Sequence, residues 1–194
     1  FNLPSGVALY GGFAATETQR TQRDWADNIT VLSGDIDGND ITDANGIVTN
    51  TANITGANST HVLYADGTVS PVITETTVLD GFTVTGGQAI GNSGGGFVCN
   101  GNGLNSECSP TISNMTFSGN VADCGGAMFY SSYENETASL MSNVVFSNNS
   151  ATQGGAVCIS GDLNSASPTL NTVTFTGNTA TNGGALYSIA KGPM

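Results

Sequence analysis

Three groups of residues in this sequence carry chemistry by their type and spacing. In the stretch DIDGND, Asp35, Asp37, Asn39 and Asp40 set side-chain oxygens around a glycine, and Asp43 follows three residues on. Alternating carboxylates with a sharp glycine turn head a loop for a hard cation, so Ca2+ is the ion these residues would hold. The glycine stands fourth rather than sixth and no glutamate closes the loop, which excludes an EF-hand. A solvated loop of Asx turns is the other reading of the same residues. The four cysteines, Cys99, Cys108, Cys124 and Cys158, form the second group. The third is His61, the sole histidine, which has no evident Ser or Cys partner and reads as a loop or surface residue.

Composition narrows what such groups can serve. The 194 residues include 27 glycines, 38% are hydrophobic and only 9% are charged. Disordered chains pair high charge with few apolar residues, and this chain does the reverse. Fifteen acidic residues against three basic ones give a net charge of −12. Nucleic acid and anionic membranes need Lys and Arg to neutralise phosphates, so neither is a partner. No apolar run approaches the roughly 18 residues of a membrane helix, so this segment is not expected to span a membrane. The chain opens at Phe1 without a signal segment and stops at Met194 without a cap, as a processed or truncated piece of a longer protein would. Low lysine with abundant Thr, Asn, Ser and Gly reads as a secreted or cell-surface protein.

The elements that must position these groups are set by an internal repeat. Phe117, Phe146 and Phe175 stand 29 residues apart, and the glycine pairs Gly125-Gly126, Gly154-Gly155 and Gly183-Gly184 keep the same step. An older copy, LDGFTVTGG from Leu79, puts Val84 in the Phe place, and Gly95-Gly96 reads as its glycine pair. Stacking the copies aligns Leu79 with Ile112, Met141 and Leu170, and Phe82 with Met115, Val144 and Val173. Thr and Ser columns flank the Phe. Apolar and polar columns alternate as on strands with one buried face. Asn120, Asn149 and Asn178 follow three residues after each Phe. They are expected at a bend with positive φ, their amides hydrogen-bonding along the column. Glycine pairs fit bends packed one rung apart, where Cβ atoms have no room.

Constant strands and bends with variable excursions describe a solenoid whose coils pair at roughly 4.8 Å. The expected fold is all-β, a right-handed parallel β-helix with coils of about 29 residues. Residues 1–75 form a lead-in with irregular first coils, and residues 76–194 form the regular coils of the same continuous domain. On this frame Cys99 and Cys108 sit at the mouth of one excursion, where a disulfide would pin a nine-residue step. Cys99 and Cys158 read as one column two coils apart, too far to bond, and Cys124 and Cys158 as buried small apolar residues.

The pairing of FxxN (Phe117–Asn120, Phe146–Asn149, Phe175–Asn178) with GGA and an aliphatic residue resembles the repeats of chlamydial polymorphic outer membrane proteins. It is equally similar to bacterial secreted right-handed parallel β-helix proteins. The lead-in, GVALYGGFAATETQRTQRDWADNITVLSGDIDGND, is similar to the segment that precedes the regular coils in such proteins. The resemblance implies passenger or ectodomain material at a cell surface and nominates no catalytic residue.

Catalysis finds little support among the acids. Hydrolysis by two carboxylates needs a pair about 5–10 Å apart. Asp80, Asp123 and Asp162 fall in different columns, and Glu107, Glu134 and Glu136 fall in loops. Lyase chemistry needs cations beside an acidic sugar, and the last arginine is Arg23. The expectation is therefore a non-catalytic β-helix scaffold, an adhesin-like stalk or a subunit of an extracellular filament. Its expected partners are its own further coils or other copies stacked end to end, and a host or cell-surface glycan. The alternative is a β-helix that binds or degrades polysaccharide.

Overall fold

A computed structural model of the chain describes residues 1–132, 139–161 and 167–189 with their side chains, and residues 162, 190 and 191 by their backbone. Short runs of β-branched and aromatic residues, closed by Gly and Asn, form sixteen strands. The lead-in supplies β1 (Ala8–Tyr10), β2 (Thr30–Ser33) and β3 (Leu63–Asp66). The next coil supplies β4 (Val78–Asp80), β5 (Phe82–Thr85), β6 (Gln88–Ser93) and β7 (Phe97–Gly101). Three regular coils follow. The first holds β8 (Thr111–Ser118), β9 (Val121–Cys124) and β10 (Met128–Ser132); the second holds β11 (Leu140–Ser147), β12 (Ser150–Gln153) and β13 (Val157–Asp162). The third holds β14 (Thr169–Thr176), β15 (Thr179–Asn182) and β16 (Leu186–Lys191).

Every strand pairs in parallel with its counterpart one coil away. The first sheet runs β1-β4-β8-β11-β14 with β2 and β5 alongside, the second β6-β9-β12-β15, and the third β3-β7-β10-β13-β16. The chain is thus an all-β parallel β-solenoid. The helical turns among the described residues are two short 3-10 segments, Arg20–Gln22 and Thr51–Asn53. The lead-in is hydrogen-bonded into the same sheets, since β1 pairs with β4, β2 with β5 and β3 with β7.

The register reproduces the apolar columns. Leu79, Ile112, Met141 and Leu170 are consecutive partners, as are Val84, Phe117, Phe146 and Phe175. Neighbouring rings stack face to face, Phe117 on Phe146 with centroids 5.2 Å apart and Phe146 on Phe175 at 5.1 Å. Phe117 and Phe146 are fully buried, inside a core that also holds Met115, Met128, Met141 and Tyr130.

Two details of the bends differ from the sequence reading. Phe97 pairs with Met128, so the glycine pair of the older copy is Gly94-Gly95 rather than Gly95-Gly96. The cause is a register irregularity in β6 between Ala89 and Ser93, which lengthens that strand against β9. Positive φ lies at Gly119, Asn148 and Gly177, one residue before the Asn column expected to carry it. The glycine corners themselves are steric. Gly154 has φ +60°, and a Cβ there would lie 2.2 Å from the Val157 carbonyl oxygen.

Candidate functional site

The strongest polar constellation is an amide ladder inside the core. Asn120 and Asn149 are fully buried. Asn120 Nδ2 donates to Asn149 Oδ1 at 3.0 Å, and Asn149 Nδ2 donates to Asn178 Oδ1 at 2.9 Å. Each Oδ1 also accepts a backbone N–H from the coil before: Gly87 to Asn120, Asn120 to Asn149 and Asn149 to Asn178. Each Nδ2 reaches a carbonyl of that earlier coil, Val84, Phe117 and Phe146 in turn. Burying an amide is costly unless its donors and acceptors are met, and translation by one coil meets them all. The ladder therefore specifies register; it is not a reactive site.

A second, more exposed ladder joins the lead-in to the coils. Mid-strand residues with positive φ bulge outward at Asn114 and Asn143. Asn143 Nδ2 donates to Asn114 Oδ1, and Asn114 Nδ2 donates to Asp80 Oδ1, both at 2.8 Å. The other Asp80 oxygen receives Arg23 Nη2 in a short ion pair, with both side chains largely buried. Arg23 also donates to the Gly11 carbonyl, while Arg20 lies over the Tyr10 ring and donates to its hydroxyl. The two arginines fix the lead-in through Asp80 and Tyr10, not through their sequence neighbours Glu17 and Asp24.

The acidic loop is folded on its own backbone. Asp35 Oδ1 accepts the Gly38 N–H at 2.8 Å and the Asn39 N–H at 3.3 Å, and Oδ2 accepts the Asp40 N–H at 3.0 Å. Desolvation alone would raise the Asp35 carboxyl, but these backbone donors outweigh it and leave the group below its ordinary range. Asp37 Oδ2 accepts from Ala57, and Asp40 accepts from Thr55 N–H and from Asn58 Nδ2. Asp43 turns away to cap Asn45 and Ile47. Asn39 Oδ1 takes the Thr55 hydroxyl. Among the described residues, no three His, Cys, Asp or Glu side chains converge as a metal site would require. The loop is built of Asx turns whose carboxylates accept backbone N–H groups.

Both cysteine pairs are oxidised. Cys99 and Cys108 form a disulfide with Cα atoms 5.6 Å apart, closing the excursion between β7 and β8. Cys124 and Cys158 form a second, with Cα atoms 5.5 Å apart, so they are not free apolar residues as the sequence suggested. Cys158 pairs in the column of Val98, Phe129 and Tyr187, whereas Cys99 belongs to that of Tyr130 and Ile159. The supposed shared column of Cys99 and Cys158 does not exist. Cys124 ends β9 just before the glycine corner, and Cys158 starts the next sheet one coil further on; the corner folds one toward the other.

Asp123 Oδ1 accepts the Gly91 N–H, while Glu134 and Glu136 lie outside the described residues. His61 Nδ1 contacts the Gly94 carbonyl at 2.8 Å and braces the corner of its coil. Tyr130 is fully buried, and burial pushes its phenol well above the usual range. Its Oη and the neighbouring Ser139 Oγ lack a well-formed hydrogen bond among the described residues. Asp123, His61 and Tyr130 form no nucleophile–base pair with one another among the described residues.

The geometry and the comparisons meet in the last two regular coils. Residues 143–160 and 172–189 match the family model of the Chlamydia polymorphic membrane protein repeat. Two coils of this solenoid are thus similar to that repeat. Each matched segment contributes one ring of the Phe file, one rung of the amide ladder and one glycine corner: Phe146, Asn149 and Gly154, then Phe175, Asn178 and Gly183. No curated protein and no solved structure matches the chain. The repeat residues are thus the ones that set coil-to-coil register, and sequence spacing had found them. The second disulfide and the Asp80–Asn114 contact had no such signal in the columns, whereas Asn114 and Asn143 keep the 29-residue step.

Proposed function

We propose that this chain is a non-catalytic cell-surface scaffold, an adhesin-like stalk or a subunit of an extracellular filament. The observation that carries the reading is the coaxial register of the Phe file and amide ladder, running through the two coils that match the polymorphic membrane protein repeat. A stack of this kind grows by adding coils, and its stability comes from neighbour-to-neighbour terms, which suits a stiff surface rod. The repeat supports an outer-membrane or surface location. Among the described residues no helix is long and apolar enough to cross a membrane. Two disulfides are consistent with an oxidising compartment. Asp80 is held by Arg23 and Asn114 while Asp123 stands on another sheet, so these two described acids do not form the pair that the catalytic alternative would need.

Two measurements test the proposal. Antibody labelling or protease shaving of intact producing cells is expected to reach the protein from outside. Negative-stain microscopy of the purified material is expected to show thin rods, or filaments where copies join end to end. Cells that shield the protein completely, or turnover of polysaccharide by the purified chain, would overturn it.

A further inference from the structure

Where the second and third sheets meet outside the core, their exposed faces enclose a groove of about 550 Å³. One wall comes from successive strands of the second sheet and carries Asn92, Asp123, Thr152 and Gln153. The other comes from the third sheet and carries Phe129, Ser160 and Ile189. Cys124 lies between the walls, and its disulfide to Cys158 ties one coil of the first wall to the next coil of the second. Gln153 Oε1 rests 3.7 Å from Cys124 Sγ. The groove is therefore cross-linked at its base and preorganised, which reduces the ordering cost of binding.

We infer that this groove is a binding site for an uncharged oligosaccharide lying along the solenoid axis. Asn92, Thr152, Gln153 and Ser160 line the groove beside Phe129 and Ile189, and such amides and hydroxyls both donate to and accept from sugar hydroxyls. The half-buried Phe129 ring offers an apolar face for the C–H side of a pyranose. Among the described lining residues no side chain is cationic, and Asp123 is a carboxylate on a chain of net charge −12. Sulfated or uronic glycans and nucleic acids are repelled by that field. Rungs recur at about 4.8 Å, close to the length of one hexose, so a chain of sugars along the axis meets one coil per residue. The inference supplies the ligand class for the adhesive part of the proposed function and rests on that reading only for the cellular setting.

Titration calorimetry with maltohexaose, cellohexaose, chitohexaose and a heparin hexasaccharide tests the site. At least one neutral oligosaccharide is expected to bind, with heparin showing no heat. Phe129→Ala is expected to weaken the binding roughly tenfold, as loss of an aromatic anchor does. Thr152→Trp, at an exposed wall position that leaves the core untouched, is expected to abolish binding by filling the groove, with the melting temperature unchanged. The inference is overturned if none of the three neutral probes binds at millimolar concentration, if heparin binds best, or if Thr152→Trp leaves binding intact. Those failures would leave the rods and the surface labelling standing, so the two readings fail separately.

Discussion

Replacing Asn149 by alanine isolates the contribution of the amide ladder. Its side chain is fully buried and makes four hydrogen bonds: it accepts from the Asn120 N–H and Nδ2 and donates to Phe117 O and Asn178 Oδ1. Alanine fits the space but strands the Asn120 N–H in the core, and an orphaned buried donor costs about 1–3 kcal/mol. The other three bonds contribute about 1 kcal/mol each, partly recovered because Asn120 Nδ2 keeps Val84 O and Ser118 O. The expected loss is about 3–5 kcal/mol, a large share of the roughly 5–15 kcal/mol that holds a domain. For a chain of this length that is a fall of roughly 10 °C in melting temperature. Asn178→Ala is the internal control. Asn178 is only partly buried, so water replaces the lost partners and the expected cost is about 1–2 kcal/mol. Urea unfolding of both variants, with native-state hydrogen exchange of the Asn120 amide, reads the difference. If Asn149→Ala costs no more than Asn178→Ala, or leaves the Asn120 amide as protected as before, the ladder does not hold the coils in register.

Three further outcomes follow from the same geometry. Gly154→Val puts a Cβ against the Val157 carbonyl at a positive φ, so the variant is expected to lose cooperative near-UV circular dichroism, whereas the exposed Thr152→Val keeps it. The two disulfides differ in the loop each closes, 34 residues for Cys124–Cys158 and 9 for Cys99–Cys108. By loop entropy, Cys124→Ser with Cys158→Ser should cost about 4 kcal/mol and the Cys99–Cys108 pair about 2.5 kcal/mol, an order that urea midpoints will check. In the acidic loop, the Asp35 carboxyl is held below its ordinary value, so its contribution is present above the unfolded pKa and lost as pH falls through the folded one. Protection of the Gly38 amide is expected to fall only in that acidic window. EDTA at neutral pH is expected to leave the melting temperature unchanged, and a drop of several degrees would establish a bound cation instead.

What could be read from the sequence and what could not divides along one physical line. A column is visible when translation by one coil brings a residue onto its own equivalent, because the same packing problem then recurs at a fixed step. Phe117, Phe146 and Phe175 solve it with stacked rings, and Asn120, Asn149 and Asn178 with shared amides. The sequence placed the bend on those asparagines, yet their side chains must point inward from extended backbone, so the left-handed turn falls one residue earlier. The column Gly119, Asn148, Gly177 carried that signal, since glycine and asparagine tolerate the region best.

Contacts that cross between columns leave no periodic trace. Cys124 and Cys158 lie 34 residues apart, five more than one 29-residue step, and those five residues round the glycine corner. Spacing along a column could not reveal the bond; only the bend's angle brings the two sulfurs together. The lead-in is hidden for a similar reason. Its strands β1, β2 and β3 pair with β4, β5 and β7, but excursions of unequal length separate them, so no constant step survives. Arg23 on Asp80 and Asp80 on Asn114 then carry the lead-in's position into the regular coils. The part of the chain with the weakest repeat thus adds specific ion and amide contacts to its sheet pairing, while the part with the strongest repeat is held by columns. That trade explains why both of the chain's arginines stand before the first regular coil: where translation supplies the partner for every buried group, a charge has nothing to add.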